Sequence, residues 1–146
     1  MKSIFDIKIE FNGKPVEMKG VNAEVVMIPF KGYVAKSDLF TGIVEPCGVD
    51  TQVVNAAKVR HMSARYMLTG KDKEGNDCHI YIENNGYFDE FEGRPAPQEG
   101  KPMFRTVPTF YTDSPVLAPY LHCNQFIGEG WGLEDGLHIL FYEVEK

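Results

Sequence analysis

The stretch HMSARYMLTGKDKEGNDCHIYIENNG, residues 61–86, decides the fold of this chain. Two runs of alternating apolar and polar residues flank a polar tip at residues 71–77. In the second run the apolar residues share one face and the titratable residues share the other: Cys78, Ile80 and Ile82 against His79, Tyr81 and Glu83. A period of two is typical of a strand with one apolar side, so the stretch predicts a β-hairpin.

The same signals recur on both sides of this hairpin. Strands are predicted at residues 3–11, 15–18, 23–30, 31–35, 41–44, 51–54, 103–112, 124–128 and 137–144, with a glycine-rich connection at 128–132. Asn12-Gly13 predicts a tight turn, Pro29 predicts an edge or bulge, and residues 119–121 predict a short helical turn. About eight to ten short strands without a long helix indicate an antiparallel sandwich or barrel. We favour a single all-β domain, residues 1–146, folded as an up-and-down barrel, because closure leaves no exposed edges.

Residues 56–68 are ambiguous between helix and strand. Asn55 stands at a helix-capping position, and Val59, Met62 and Tyr66 follow one another at helical spacing. Yet apolar and polar residues also alternate through this segment. The hairpin that follows favours the strand.

Residues 89–102, DEFEGRPAPQEGKP, have no periodicity and are rich in proline, glycine and charge. A loop longer than about 12 residues in a compact domain is often a lid or a binding loop. We expect a mobile, lid-like loop near the barrel mouth, with a plain surface loop as the alternative.

Composition narrows the class of protein. A net charge of −6 argues against a nucleic-acid-binding protein, since phosphate binding needs clustered lysines and arginines. No apolar run approaches the roughly 18–20 residues of a membrane span, and the alternating N-terminus does not resemble a signal peptide. The 3 cysteines are far apart and form no CxxC motif, which argues against a disulfide framework. We therefore expect a cytoplasmic protein that binds neither nucleic acid nor membrane.

The order of several short motifs resembles one family over nearly the whole chain. The motifs are GVD at 48–50, ARY at 64–66, IYIENNG at 80–86, FRTVPTF at 104–110, FIGEG at 126–130 and FYEV at 141–144. They are similar to those of the domain-of-unknown-function family 3237, also called uncharacterised protein family 0311. The resemblance implies a lipocalin-like small β-barrel and carries no agreed activity.

Two positions depart from the family pattern. The family usually has two glycines and an aromatic around its aspartate, whereas this chain reads CGVDT at 47–51, without the aromatic. Where family members tend to have Trp-Leu-Asn, this chain has Tyr120-Leu121-His122, which makes His122 a candidate for a ligand-specific contact.

The polar residues within the matched motifs are the candidate ligand-binding positions. They are Asp50, Arg65, Tyr81, Glu83 and Arg105. Arginine is suited to a carboxylate, phosphate or enolate oxygen, because its guanidinium donates two parallel hydrogen bonds. A neighbouring carboxylate, Asp50 or Glu83, is a candidate catalytic base. The alternative is that Asp50 forms a structural ion pair with Arg65 or Arg105.

Trp131 and the histidines complete the candidates. Trp131, flanked by glycines, suits either a rim aromatic that stacks on a ligand or a core anchor. The histidines show neither HxH nor HExxH spacing, so we expect no metal site and no cofactor.

Three functional hypotheses follow. The first is a small-molecule-binding barrel whose ligand is partly apolar, with an anionic or carbonyl group facing Arg65 or Arg105. The second is a cofactor-independent lyase or isomerase that uses Asp50 or Glu83 as base and an arginine to stabilise an oxyanion. The third is a module with a filled interior and a partner-binding outer face. Whether the chain is an enzyme and whether it self-associates stay open.

Overall fold

Nine strands and one short helix are described in the computed structural model, which covers residues 1–89 and 100–145. The strands are β1 (Lys2–Phe11), β2 (Val16–Lys19), β3 (Ala23–Lys36), β4 (Phe40–Asn55), β5 (Val59–Asp72), β6 (Asp77–Asp89), β7 (Phe104–Thr112), β8 (Phe126–Leu133) and β9 (Gly136–Glu143). Helix α1 spans Ala118–Leu121, which confirms the predicted helical turn. The lid-like loop predicted at residues 89–102 lies mostly outside the described residues.

The sheet closes on itself. Neighbouring strands pair antiparallel in the order β1-β9-β8-β7-β6-β5-β4-β3, and β1 also pairs with β3. These eight strands form the barrel, while β2 pairs with β3 as a short extension. The predicted antiparallel up-and-down β-barrel is therefore confirmed.

The hairpin predicted from residues 61–86 is the pair β5 and β6. Their register runs from Val59 opposite Asp89 to Lys71 opposite Asp77. Asn55 does cap a local turn, because its Oδ1 accepts hydrogen bonds from the backbone N–H groups of Ala57 and Val59 at 3.0 and 3.1 Å. That turn leads into a strand and not into a helix, so the strand interpretation of this segment is confirmed.

The short strands predicted between residues 23 and 54 are in fact two long ones, β3 with 14 residues and β4 with 16. Each contains a register shift. In β3 it lies between Phe30 and Gly32, in the pairing with β4, and in β4 it lies between Val44 and Val49, in the pairing with β5. Bulges bend a strand without ending it, and their irregular sequence looks like a break between strands. Pro29 lies beside the first bulge, as predicted.

The glycine-rich segment 128–132 is part of β8 and not a connection between strands. A Cβ atom at Gly130 would lie 2.2 Å from Cζ of Phe104 in the neighbouring strand β7. The ring of Phe104 thus occupies the space that a side chain would need. This glycine serves close packing inside the barrel, and the prediction of a linker there was wrong.

The core fills one end of the barrel. Fully buried Phe5, Ile7, Leu68 and Phe141 pack there with Leu117 and Leu121 of the segment that contains α1; this segment closes that end. Among residues 1–89 and 100–145, no helix is long and apolar enough to cross a membrane.

Candidate functional site

A cavity of about 120 Å³ lies inside the barrel at the end opposite α1, which we call the mouth. Its apolar lining comes from Ile9, Phe11, Ile28, Phe30, Met62, Ala64, Phe104, Leu137 and Ile139. Its polar lining comes from Asp50, Gln52, Tyr66, Asn84 and Thr106. The cavity is therefore mainly apolar with a few convergent polar groups, as small-molecule sites usually are.

Four polar atoms of this lining have no hydrogen-bond partner among the described residues. They are Oδ1 of Asp50, the hydroxyl of Tyr66, Oδ1 of Asn84 and Oγ1 of Thr106. The last three residues are only 4–5% exposed. Such buried atoms normally find a partner, because leaving one unsatisfied costs about 1–3 kcal/mol. Their concentration in one cavity distinguishes it from the rest of the core.

Strand register brings these groups together. Asp50 of β4 lies opposite Ala64 of β5, which in turn lies opposite Asn84 of β6. The small side chain of Ala64 leaves space between the two polar residues. Thr106 of β7 lies opposite Gly86 of β6, on the next inward row toward the mouth. The site is thus built on four adjacent strands of the barrel wall.

Asp50 is held by a chain of hydrogen bonds. Nε2 of Gln52 donates to Oδ2 of Asp50 at 2.7 Å, and Nη1 of Arg60 donates to Oε1 of Gln52 at 2.9 Å. Burial raises the pKa of Asp50, and the hydrogen bond from Gln52 and the charge of Arg60 offset only part of this rise. Gln52 therefore holds one carboxyl oxygen of Asp50, while the other, Oδ1, is buried without a hydrogen-bond partner among the described residues.

Tyr66 stays a neutral phenol in this environment. Burial raises its pKa far above the ordinary value, and the charge of Asp50 raises it further. Its ring meets the ring of Phe30 edge-on, with centroids 5.1 Å apart. A Cβ atom at Gly48 would lie 3.0 Å from the Phe30 ring, so the glycine of the GVD motif leaves room for it. Tyr66 is accordingly a fixed hydrogen-bond donor.

Asp50 is the only one of the predicted ligand-binding residues in this lining. Arg65 and Glu83 lie opposite each other on the outer face of the hairpin, with 3.4 Å between Nη2 and Oε1. The Arg65 side chain is 63% exposed. The expected pairing of Asp50 with Arg65 or Arg105 is also wrong, since Arg65 pairs with Glu83 and Arg105 with Glu129.

Arg105 and Trp131 also lie on the outer face. Nε of Arg105 is 3.7 Å from Oε2 of Glu129, and Nε1 of Trp131 donates to the other oxygen of Glu129 at 3.2 Å. The Arg105 side chain is 74% exposed. These residues form a polar cluster on the outside of β7 and β8.

Tyr81 and His122 meet a common neighbour outside the barrel. The Tyr81 ring stacks on Tyr111 with centroids 6.4 Å apart, and the His122 ring lies 5.9 Å from the same tyrosine. Nε2 of His122 accepts a hydrogen bond from the backbone N–H of Thr112 at 3.0 Å.

The candidate ligand-binding residues that do not line this cavity are thus Arg65, Tyr81, Glu83, Arg105, His122 and Trp131. On β5 to β8 the apolar row packs inward, and most of these residues belong to the opposite row, because side chains alternate between faces. A role for them in binding at the outer face stays a prediction.

The inward polar residues that sequence reasoning missed belong to the same quoted motifs. Asn84 continues the apolar row of Ile80 and Ile82, Tyr66 is the residue after Arg65, and Thr106 is the residue after Arg105. A polar residue that interrupts an inward apolar row was the available signal. Within the described part of the chain, no three His, Cys, Asp or Glu side chains are grouped as a metal site would require.

Two comparisons with known proteins identify the same family. The model of the family described as "Protein of unknown function (DUF3237)" matches residues 1–144. A UPF0311 protein of Clostridium acetobutylicum is 33% identical over 125 residues, which cover 81% of this chain and 76% of that protein.

Solved structures agree in fold. A protein of unknown function from C. acetobutylicum superposes with a TM-score of 0.76 at 29% identity, covering 99% of this chain and 98% of that one. A conserved protein of unknown function from Rhodopseudomonas palustris gives 0.74 at 25% identity, with 99% and 96% covered. A beta-barrel like protein from Acinetobacter baumannii gives 0.72 at 19% identity, with 99% and 94% covered, and shows the fold alone. The motifs, the barrel and these matches together establish that the chain belongs to the DUF3237 family of proteins of unknown function.

Proposed function

We propose that this protein binds a small, partly apolar molecule in the cavity at the barrel mouth. The observation that carries the proposal is a group of buried polar atoms on four residues of the cavity lining, for which the described part of the chain supplies no hydrogen-bond partner: Asp50, Tyr66, Asn84 and Thr106. A ligand that forms hydrogen bonds with these atoms removes the cost of leaving them unsatisfied. The apolar lining contributes affinity by burial of the rest of the ligand.

The size of the cavity limits the ligand. A volume of about 120 Å³ is close to that of a cavity of about 150 Å³ known to hold benzene. It is below the range of about 300–1,000 Å³ typical of drug-sized ligands. The enclosed part of the ligand is therefore one ring or a short chain, while any larger part protrudes from the mouth.

The sequence left open whether the polar group of the ligand is anionic or a neutral carbonyl, and the charge of the cavity favours one of these two. The arginines that suggested an anionic ligand lie on the outer face, and the cavity contains the carboxyl group of Asp50. The hydroxyl groups of Tyr66 and Thr106 supply hydrogen-bond donors. A neutral carbonyl compound fits these groups better than an anion does.

A binding screen tests this proposal. Small cyclic ketones, lactones and phenols are screened by ligand-observed NMR and by thermal shift on the wild type. Binding at a ligand concentration of 100 Kd should stabilise the fold by about 2.7 kcal/mol. Tyr66→Phe and Thr106→Val should weaken binding of a ketone, whereas Tyr111→Phe, a matched change on the outer face, should leave it unchanged. Absence of binding by all three classes, or equal binding by all variants, contradicts the proposal.

A second candidate function is cofactor-independent catalysis. It is favoured by Asp50, a residue of the cavity lining whose pKa is raised by burial and whose Oδ1 has no hydrogen-bond partner among the described residues. The measurement that separates the two functions is turnover of the bound compound. Cytoplasmic location and the absence of nucleic-acid or membrane partners stay predictions from the sequence, and self-association stays open.

A further inference from the structure

We infer that the cavity is a proton-transfer site, in which Asp50 is the base and Tyr66 the hydrogen-bond donor for isomerisation of a small unsaturated ketone or lactone. The inference deepens the proposed binding function and rests on it. The juxtaposition of the two groups in one apolar cavity carries it.

The first step of the argument concerns which oxygen of Asp50 is available. Oδ2 accepts the hydrogen bond from Gln52, whose own orientation is fixed by Arg60. Oδ1 has no partner among the described residues. We therefore assign proton uptake from a ligand to Oδ1, the carboxyl oxygen without a partner.

The second step concerns the distance between base and donor. Asp50 lies opposite Ala64, and Tyr66 is the next residue of β5 on the same inward face. Such diagonal neighbours have side chains about 7–8 Å apart at their bases, within reach of each other across a bound carbonyl group. The charge of Asp50 contributes to the raised pKa of Tyr66, which agrees with this proximity.

The third step is the chemistry that this pair supports. The carboxylate of Asp50 takes a proton from the carbon between the carbonyl group and an isolated C=C bond. The C–H electron pair forms a new C=C bond, and the carbonyl π pair moves onto oxygen, where the Tyr66 hydroxyl stabilises it. Asp50 then returns the proton to the far carbon of the original double bond, and the carbonyl re-forms. Substrate and product are isomers, so the cycle needs no co-reactant.

The surroundings suit such a base. A buried carboxylate with a raised pKa accepts a proton from carbon more readily than a solvated one does. A tyrosine kept neutral by burial is a preorganised donor that needs little reorganisation during the reaction. Gln52 holds the base in place by a hydrogen bond, and Arg60 in turn holds Gln52.

The test uses cyclohex-3-enone as the probe, in deuterated buffer, with the full-length protein. NMR follows three quantities: binding, formation of cyclohex-2-enone and deuterium incorporation at carbon. We expect the wild type to exceed Asp50→Asn by about 100-fold or more in isomerisation and exchange, with binding retained. Tyr66→Phe should be slower than the wild type by about 100-fold.

The controls carry the same changes at outer positions. Asp77→Asn at the exposed hairpin tip and Tyr111→Phe on the outer face should both match the wild type. If Asp50→Asn does not fold, Asp50→Leu, which removes the carboxyl group altogether, replaces it.

The outcomes separate the inference from the proposed function. Binding of the probe with exchange no faster than in Asp50→Asn overturns the proton-transfer inference and leaves the binding function standing. Absence of binding by the probe, the ketones and the lactones overturns the proton-transfer inference, and absence of binding by the phenols as well overturns the binding function too. Exchange that is equally fast in Tyr66→Phe overturns the assignment of Tyr66.

Discussion

At the scale of single residues, the site depends on a polar side chain appearing where an apolar one is expected. Asn84 follows Ile80 and Ile82 on the inward face of β6, and Asp50 faces the same cavity from β4. Each of these polar residues can be recognised in its own strand from the local sequence. Their convergence in one cavity depends on the pairing of strands that are distant in the sequence.

The hydrogen bond from Gln52 lowers the pKa of Asp50, so replacing Gln52 has a predictable effect on that pKa. A hydrogen bond to the charged form of a carboxyl group lowers its pKa. Gln52→Met, which preserves the side-chain length, should therefore raise the pKa of Asp50 further. A carboxyl-carbon NMR titration measures this directly. Gln125→Met, at an exposed position, is the control, and an unchanged Asp50 titration in Gln52→Met would contradict the hydrogen-bond assignment.

At the scale of elements, strand existence was predictable because alternation is a local property. Strand length was not, since the bulges in β3 and β4 interrupt the pattern without ending the strand. The glycine-rich β8 was misread for a related reason. Glycines are needed in β8 because aromatic rings from the neighbouring strands occupy the space of their side chains. Which strands are neighbours is decided by the tertiary structure.

The packing of β8 against β7 gives a testable consequence. Gly130→Ala should destabilise the protein by about 1–3 kcal/mol, because the new Cβ atom enters the space of the Phe104 ring. Urea unfolding measures the change. In a Phe104→Ala background the same substitution should cost much less, and equal costs in both backgrounds would contradict the packing explanation.

A hydrogen bond connects the tip of the β5–β6 hairpin to the segment before α1. Oγ of the buried Ser114 donates to Oδ2 of Asp72 at 2.8 Å. Ser114→Ala should lower the free energy of unfolding by about 1–2 kcal/mol, because the Asp72 oxygen loses its buried donor. Ser3→Ala, at an exposed position, should leave stability unchanged in the same unfolding assay. If Ser114→Ala changes the free energy of unfolding as little as the control does, this hydrogen bond does not stabilise the fold.

At the scale of the whole molecule, β1 and β9 join the two ends of the chain and close the barrel. His138 of β9 lies on the outer face, with Nδ1 2.6 Å from Oδ1 of Asp6 and Nε2 2.8 Å from Oδ1 of Asp135. Burial by itself would lower the pKa of His138, but the hydrogen bonds with Asp6 and Asp135 outweigh it, and the net pKa is raised. The hydrogen bond with His138 lowers the pKa of Asp135.

These shifts predict how stability depends on pH. The raised pKa of His138 stabilises the fold fully below the ordinary value of 6.5, and this contribution is lost as pH rises through the folded pKa. The lowered pKa of Asp135 stabilises above its ordinary value of 3.8, and this contribution is lost as pH falls through the folded pKa. The stability difference between wild type and His138→Gln should therefore be largest between these two values. Denaturant unfolding over a pH series measures it, and a difference independent of pH would contradict the pairing.

The sequence by itself determined the all-β class, the central hairpin and the family, because alternation and turn residues act locally and motif order is linear. It favoured a closed barrel over a sandwich, and the pairings of β1 with β9 and β3 confirm the closure. Only the tertiary structure decided which polar residues face the interior. Each strand offers two faces, and the choice follows from burial of the apolar rows of all eight barrel strands together. That choice placed Arg65 and Arg105 outside, and it brought Asp50, Tyr66, Asn84 and Thr106 into one cavity.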